Sequence, residues 1–196
     1  MITPRATTPI HLRQQGLYPR PRRVRQLAST CHKINYQTRL RANLGGAHLT
    51  GANLTGAALG GAALGRAYLA RTNLTGANLA GADLLRARLS GACLIEADLT
   101  GARLVEADLT GADLTGADLT AARLGKANLT SANVARANLA GANLVGAKLT
   151  SALWHIRTTV WPATVAERVL AESDEVEPGV YRVQGGSSPD RSTMLV

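Results

Sequence analysis

A five-residue unit repeats from Ala42 to Ala152 without a single insertion, and that period decides what the chain can fold into. An apolar centre stands at Leu44 and at every fifth position to Leu149, giving 22 repeats in which only Val134 replaces Leu. Two residues before each centre sits Ala, except at Thr72, and between them lies Asn or Asp in 13 of the 22 repeats. Gly fills the last place in 12 of them. On an α-helix five residues advance about 500°, so successive Leu side chains would fall about 140° apart and leave no buried stripe. Gly at this frequency would also cost about 1 kcal/mol per site in a helix. The period excludes a heptad coil and a leucine-rich repeat. A continuous strand fails as well, because an odd period sends each successive Leu to the opposite face.

One backbone path satisfies the pattern. The Ala-x-Leu triplet obeys the two-residue period of extended chain, so Ala and Leu point inward while Asn or Asp points outward. The two remaining residues must turn a corner that restores the inward direction. Thr-Gly there suits a type II turn, whose third residue needs a positive φ. Where the corner carries Arg66, Arg71, Arg86, Glu96, Glu106, Lys126 or Arg136, a type I-like turn is expected instead.

These residues resemble the pentapeptide-repeat family, whose motif is A-(D/N)-L-x-x. The resemblance covers Ala42 to about Ala152. It implies an all-β fold, a right-handed quadrilateral parallel β-helix with four repeats per coil. Twenty-two repeats then make five and a half coils, about 26 Å tall at ~4.8 Å per stacked strand. On this reading Leu44, Leu99 and Leu149 belong to the core, and burying each Leu contributes roughly 1.5–3 kcal/mol before entropy is subtracted. The outward Asn and Asp are expected to bond their own turn or to stack between coils.

Three regions follow: residues 1–41, a basic arm read as largely disordered; residues 42–152, the repeat; and residues 153–196, a short C-terminal helical cap with a flexible tail. Trp154 falls on the next central position and is expected to close the last layer as a lid. Pro162 suits the first turn of a helix running to about Ser173, with Val165, Ala166, Val169 and Leu170 on one face and Arg168 paired to Glu172 outside. Val180–Val183 reads as a short strand, Gly185–Val196 as a loose tail, and Leu27–Tyr36 as a short helix over the first coil. Some family members related to quinolone resistance dimerise through C-terminal elements, and the resemblance therefore implies a homodimer through this region.

The formal charge of +9 sits almost entirely in the arm. Residues 1–41 hold nine basic and no acidic side chains, the repeat holds nine and seven, and residues 153–196 hold four and six. Arg20, Arg22, Arg23 and Arg25 cluster around Pro21 in that arm, which gives it the character of a nucleic-acid contact without sequence reading. Its prolines and lack of an apolar stretch argue against a secretory signal, and no apolar run approaches the roughly 18 residues a membrane helix needs. The reading is a cytoplasmic protein with no membrane association.

Enzyme chemistry needs convergent groups in a concavity. The four histidines are scattered between tails and rod ends, and Cys31 and Cys93 are too few and too far apart for a disulfide framework or zinc site. Gly125-Lys126 lacks the Ser or Thr that a phosphate loop requires, Ala127 following instead. No catalytic residue, cofactor or metal is expected. The reading is a non-enzymatic protein-interaction scaffold. The alternatives are a topoisomerase- or gyrase-binding DNA mimic, which the resemblance implies, and nucleic-acid binding through the arm. With four repeats per coil, residues twenty apart stack, and Arg66, Arg86, Arg88, Arg103, Arg123 and Lys126 form a basic stripe, the candidate interaction surface. Asp98, Asp113, Asp118 and Glu96 form a weaker acidic strip opposite.

Overall fold

A computed structural model describes residues 42–184. The basic arm with Arg20, Arg22, Arg23 and Arg25, the helix expected over Leu27–Tyr36 and the tail from Gly185 lie outside the described residues. Residues 42–161 wind into a parallel β-helix in which each outward residue bridges the residue twenty further on, as in Asn43 to Ala63 to Asp83 to Arg103 to Arg123 to Asn143. Four repeats therefore make one coil. From Leu59 to Leu139 every central side chain has at most 1% of its surface exposed, and the Ala layers between them are equally dry. Leu44, expected in the core, is only half-buried together with Ala42, Ala47 and Ala52. The first coil has a stacked neighbour on one side alone among the described residues.

The hydrogen bonds explain the motif residue by residue. In the interior coils each central N–H donates to a carbonyl of the next coil, as Leu99 to Asp118 at 2.7 Å, and each outward N–H donates to the preceding coil, as Asp98 to Ala77 at 3.0 Å. The corner N–H also donates to the next coil, as Gly101 to Thr120 at 2.8 Å, and the following Ala N–H closes the turn onto the central carbonyl, as Ala102 to Leu99 at 2.9 Å. One N–H per repeat, that of the fourth residue, finds no main-chain carbonyl. All thirteen outward Asn and Asp side chains accept that N–H through Oδ1. This is why the position favours a short side chain with an oxygen. Stacking between coils occurs too, with Asn128, Asn133 and Asn138 donating from Nδ2 to Thr110, Thr115 and Thr120.

The corners differ from the sequence reading. Arg66, Arg71, Arg86, Glu96, Glu106, Lys126 and Arg136 take φ between +55° and +61°, close to the +62° to +71° of the glycines at the same place. No charged corner relaxes to a type I-like turn. The central carbonyl and the next Ala N–H must meet in every repeat, and the stacked coils above and below leave one corner geometry. Each non-Gly residue there carries the left-handed penalty of about 1–2 kcal/mol, which the surrounding ladder overrides.

The pairing does not stop where the motif stops. A strand β1, Leu153–His155, stacks in parallel on Asn133 with Trp154 inward. After a turn through Ile156–Thr158 the chain re-enters the coil, Val160 bridging Asn138 and Trp161 filling a further central position. Thr159 takes the Ala place, and its hydroxyl donates to the Val134 carbonyl at 3.0 Å. Thr72, the exception in the repeat, does the same to Leu49 at 2.8 Å. A buried threonine in the Ala layer is thus satisfied by the turn carbonyl above it.

The cap contains a helix, but a sheet closes the rod. Helix α1 spans Ala166–Ala171, shorter than expected, with Val169 buried, Leu170 exposed, and Arg168 Nε donating to Glu172 Oε1 at 2.9 Å. Strands β2, Ser173–Glu177, and β3, Val180–Val183, join β1 in an antiparallel sheet ordered β1-β3-β2. Strand β3 occupies the place a further coil would take. The Ser151 N–H donates to Val183 at 2.8 Å, and the Val183 N–H donates to Ala152 at 3.0 Å. An antiparallel strand so covers the raw edge of a parallel stack. Beneath it Trp154 meets Trp161 edge-on at 6.0 Å and Tyr181 at 5.0 Å, while its Nε1 donates to Ser173 Oγ at 3.0 Å.

Candidate interaction surface

The twenty-residue stacking assigns every charged side chain of the repeat to one of four faces. The first two faces and their corners carry eight basic residues, namely Arg66, Arg71, Arg86, Arg88, Arg103, Arg123, Lys126 and Lys148, against Asp83, Glu106 and Asp108. The other two carry Arg136 against Glu96, Asp98, Asp113 and Asp118. All six residues of the expected stripe lie on the first side. Lys148 was not recognised from the sequence, although it stands in the column of Arg88 and Asp108.

Asp83 and Asp108 on the basic side bond their own turns as the carboxylates of the other side do, and the basic side adds ion pairs. On the acidic side the Thr100, Thr115 and Thr120 N–H groups donate to Asp98, Asp113 and Asp118 at 2.9–3.0 Å, and the Thr115 and Thr120 hydroxyls add bonds of 2.5 Å. These carboxylates serve their own turns. On the basic side Arg86 Nε donates to Glu106 at 2.7 Å, and Arg103 lies 3.6 Å from Asp83. The bond from Arg86, and then its charge, holds the Glu106 carboxyl below the usual range, while the same bond and then the Glu106 charge raise the guanidinium above its own. Arg66, Arg71, Arg123, Lys126 and Lys148 make no ion pair among the described residues.

A third arrangement escaped the sequence reading. His48 and Tyr68 stack at 4.4 Å and 7° between ring planes, and the Arg88 guanidinium lies 4.8 Å from the Tyr68 centroid. The cation–π contact fixes Arg88 against the second face. The signal was present, since positions 48, 68 and 88 all depart from Asn or Asp at twenty-residue spacing. At the far end Ile156, Val160, Leu170 and Val176 are exposed apolar residues of the cap region. Among the described residues no group of three or more His, Cys, Asp and Glu side chains is placed to hold a metal ion, and no helix is long and apolar enough to cross a membrane.

No curated protein matches the chain significantly. Among solved structures, the chain is similar to Rfr23, a pentapeptide repeat protein of the cyanobacterium Cyanothece 51142, at 35% identity over 61% of this chain and 88% of that one, with a TM-score of 0.48. It is similar to HetL, a pentapeptide repeat protein involved in heterocyst differentiation regulation from Nostoc sp. strain PCC 7120, at 34% identity over 63% and 68%, TM-score 0.33. It also resembles QnrB1, a plasmid-mediated fluoroquinolone resistance protein, at 20% identity over 61% and 67%, TM-score 0.44. The family model for pentapeptide repeats matches in eight copies over residues 41–69, 62–101, 92–130 and 117–153, more than half of the chain. The chain belongs to the pentapeptide-repeat family.

Proposed function

We propose that this chain is a non-enzymatic scaffold that presents a rigid charged surface to a protein partner. The carrying observation is the fixed column geometry: main-chain bonds between coils hold the outward side chains in rows, and five cations of the first two faces stand there without an ion pair among the described residues, although the Lys126 charge also acts on Glu106. A rigid presentation loses little entropy on association, which favours recognition by a folded partner. The coil is read as right-handed, because crossover connections between parallel strands of one sheet are right-handed almost without exception. The exposed Ile156, Val160, Leu170 and Val176 support self-association through the C-terminal region as part of the same reading.

Two other readings fit less well. Mimicry of DNA requires an anionic rod, and the repeat holds nine basic against seven acidic side chains. Nucleic-acid contact by the arm rests on residues outside those described. A photo-crosslinking amino acid placed in turn at positions 123, 128, 133 and 138 samples all four faces in the living cell. The scaffold reading expects one protein captured reproducibly from one side of the rod. Capture of no protein from any face overturns it.

A further inference from the structure

The basic edge has an internal pattern that specifies the chemistry of its partner, an inference that rests on the scaffold reading above. Row by row, the second coil contributes Arg66 and Arg71, and the fifth and sixth contribute Arg123, Lys126 and Lys148. Between them Arg86 and Arg103 face Glu106 and Asp83, so the middle of the edge is already neutralised. Arg88 is held over Tyr68. The result is two cationic clusters three coils apart, about 14 Å at ~4.8 Å per coil, separated by a zone of mixed sign. A uniform polyphosphate backbone would meet repulsion from Asp83, Glu106 and Asp108 in that zone. A protein surface with carboxylates at matching places would not.

We infer that the edge formed by the first two faces binds a protein segment carrying two acidic clusters, one on Arg66 and Arg71 and one on Arg123, Lys126 and Lys148. The opposite side of the rod presents the reverse sign, with Asp98, Asp113 and Asp118 in its outward rows. Charge reversal at the edge is structurally tolerable. Glu already stands at the equivalent corners 96 and 106 with φ of +55° and +57°, as Arg66, Arg71 and Lys126 do at +55° to +58°.

The test uses the full chain, with fluorescent poly-L-glutamate of about 20 residues and a 20-base-pair DNA duplex as probes at low salt. Arg123→Glu with Lys126→Glu is expected to weaken polyglutamate binding at least tenfold, and Arg66→Glu with Arg71→Glu about threefold. Glu96→Lys, on the other side, should leave it unchanged, and all variants should melt like the parent by circular dichroism. Replacing Arg20, Arg22, Arg23 and Arg25 by Ser should weaken the duplex more than polyglutamate. Loss of polyglutamate on altering the arm but not the edge overturns the inference. So does an edge whose reversal abolishes duplex binding while polyglutamate is unaffected, which would make the ligand nucleic acid. A protein cross-linked in the cell with undiminished yield from the edge variants would overturn the edge and leave the scaffold standing.

Discussion

The repeat and the cap bury apolar surface in opposite ways. In the repeat a central Leu such as Leu99 sits between the Leu residues one coil above and one below, and from Leu59 to Leu139 the central positions are equally dry. In the cap nothing repeats. Trp154 fills the coil interior, meets Trp161 edge-on and Tyr181 at a tilt, and hydrogen-bonds Ser173, whose hydroxyl in turn donates to the Val169 carbonyl at 2.5 Å. A solenoid spreads its stability over many equal interfaces, whereas its end depends on a few unique contacts. The middle of the rod should therefore resist mild changes and fail under a charge. The end should fail when one ring is removed.

The largest effect is expected in the repeat. Leu99 has 0% exposure, and Leu99→Asp would place a carboxylate in a dry core without a partner, costing about 5 kcal/mol or more. Asp98→Asn next to it should be nearly silent, because an amide Oδ1 accepts the Thr100 N–H as well as a carboxylate does. Thermal melts of the two variants by circular dichroism measure the contrast. Equal stability would mean that the inward and outward positions are misassigned.

At the cap, Trp154→Ala should cost about 3–5 kcal/mol. It should also open the end of the rod and promote end-to-end association through the uncovered edge. Light scattering at increasing concentration reads the second effect. A destabilised variant that stays as dispersed as the parent would assign the edge protection to β3 alone rather than to the lid beneath it.

The same contrast explains what the sequence revealed. Each repeat is an independent statement of the same geometry, so Ala52, Asn53 and Leu54 could be read inward, outward and inward without knowledge of the rest. Trp154 was legible as a lid because it kept the five-residue phase. Trp161 was not, because the turn through residues 156–158 adds two residues and moves it out of phase. Strands β1 and β2 were missed for a related reason. Three residues of β1 carry no periodicity of their own, and the acidic, exposed Asp174, Glu175 and Glu177 of β2 imitate a loop. The charged corners misled differently: local preference argues against a left-handed Arg, but the stacked coils determine the turn.

That last point gives a smaller effect of opposite sign. Arg66 holds φ at +58° on an exposed corner, and Arg66→Gly would remove the left-handed penalty while adding freedom to the unfolded chain. The net expectation is a gain of up to about 1 kcal/mol, visible as a higher denaturation midpoint at unchanged slope. A loss would show that the Arg66 side chain stabilises the rod by more than its backbone strains it, and would separate this corner from those occupied by Gly.

The smallest effect distinguishes stability from binding on the edge itself. Glu106 and Arg86 form an exposed pair, and such pairs contribute little. The hydrogen bond and then the charge of Arg86 hold the Glu106 carboxyl below its ordinary value. A carboxyl depressed in the folded state contributes stability that is present above the unfolded value and is lost as pH falls through the folded one. Glu106→Gln should therefore lower the melting temperature slightly near neutral pH, by less at high salt, and not at all once the pH is well below the ordinary glutamate range. The same change strips one carboxylate from the zone between the two cationic clusters and frees Arg86. Polyglutamate should then bind more tightly to the variant that folds less well. Paired melting and binding measurements on this one substitution should move in opposite directions, and movement in the same direction would mean that Glu106 orders the edge for its partner rather than neutralising it.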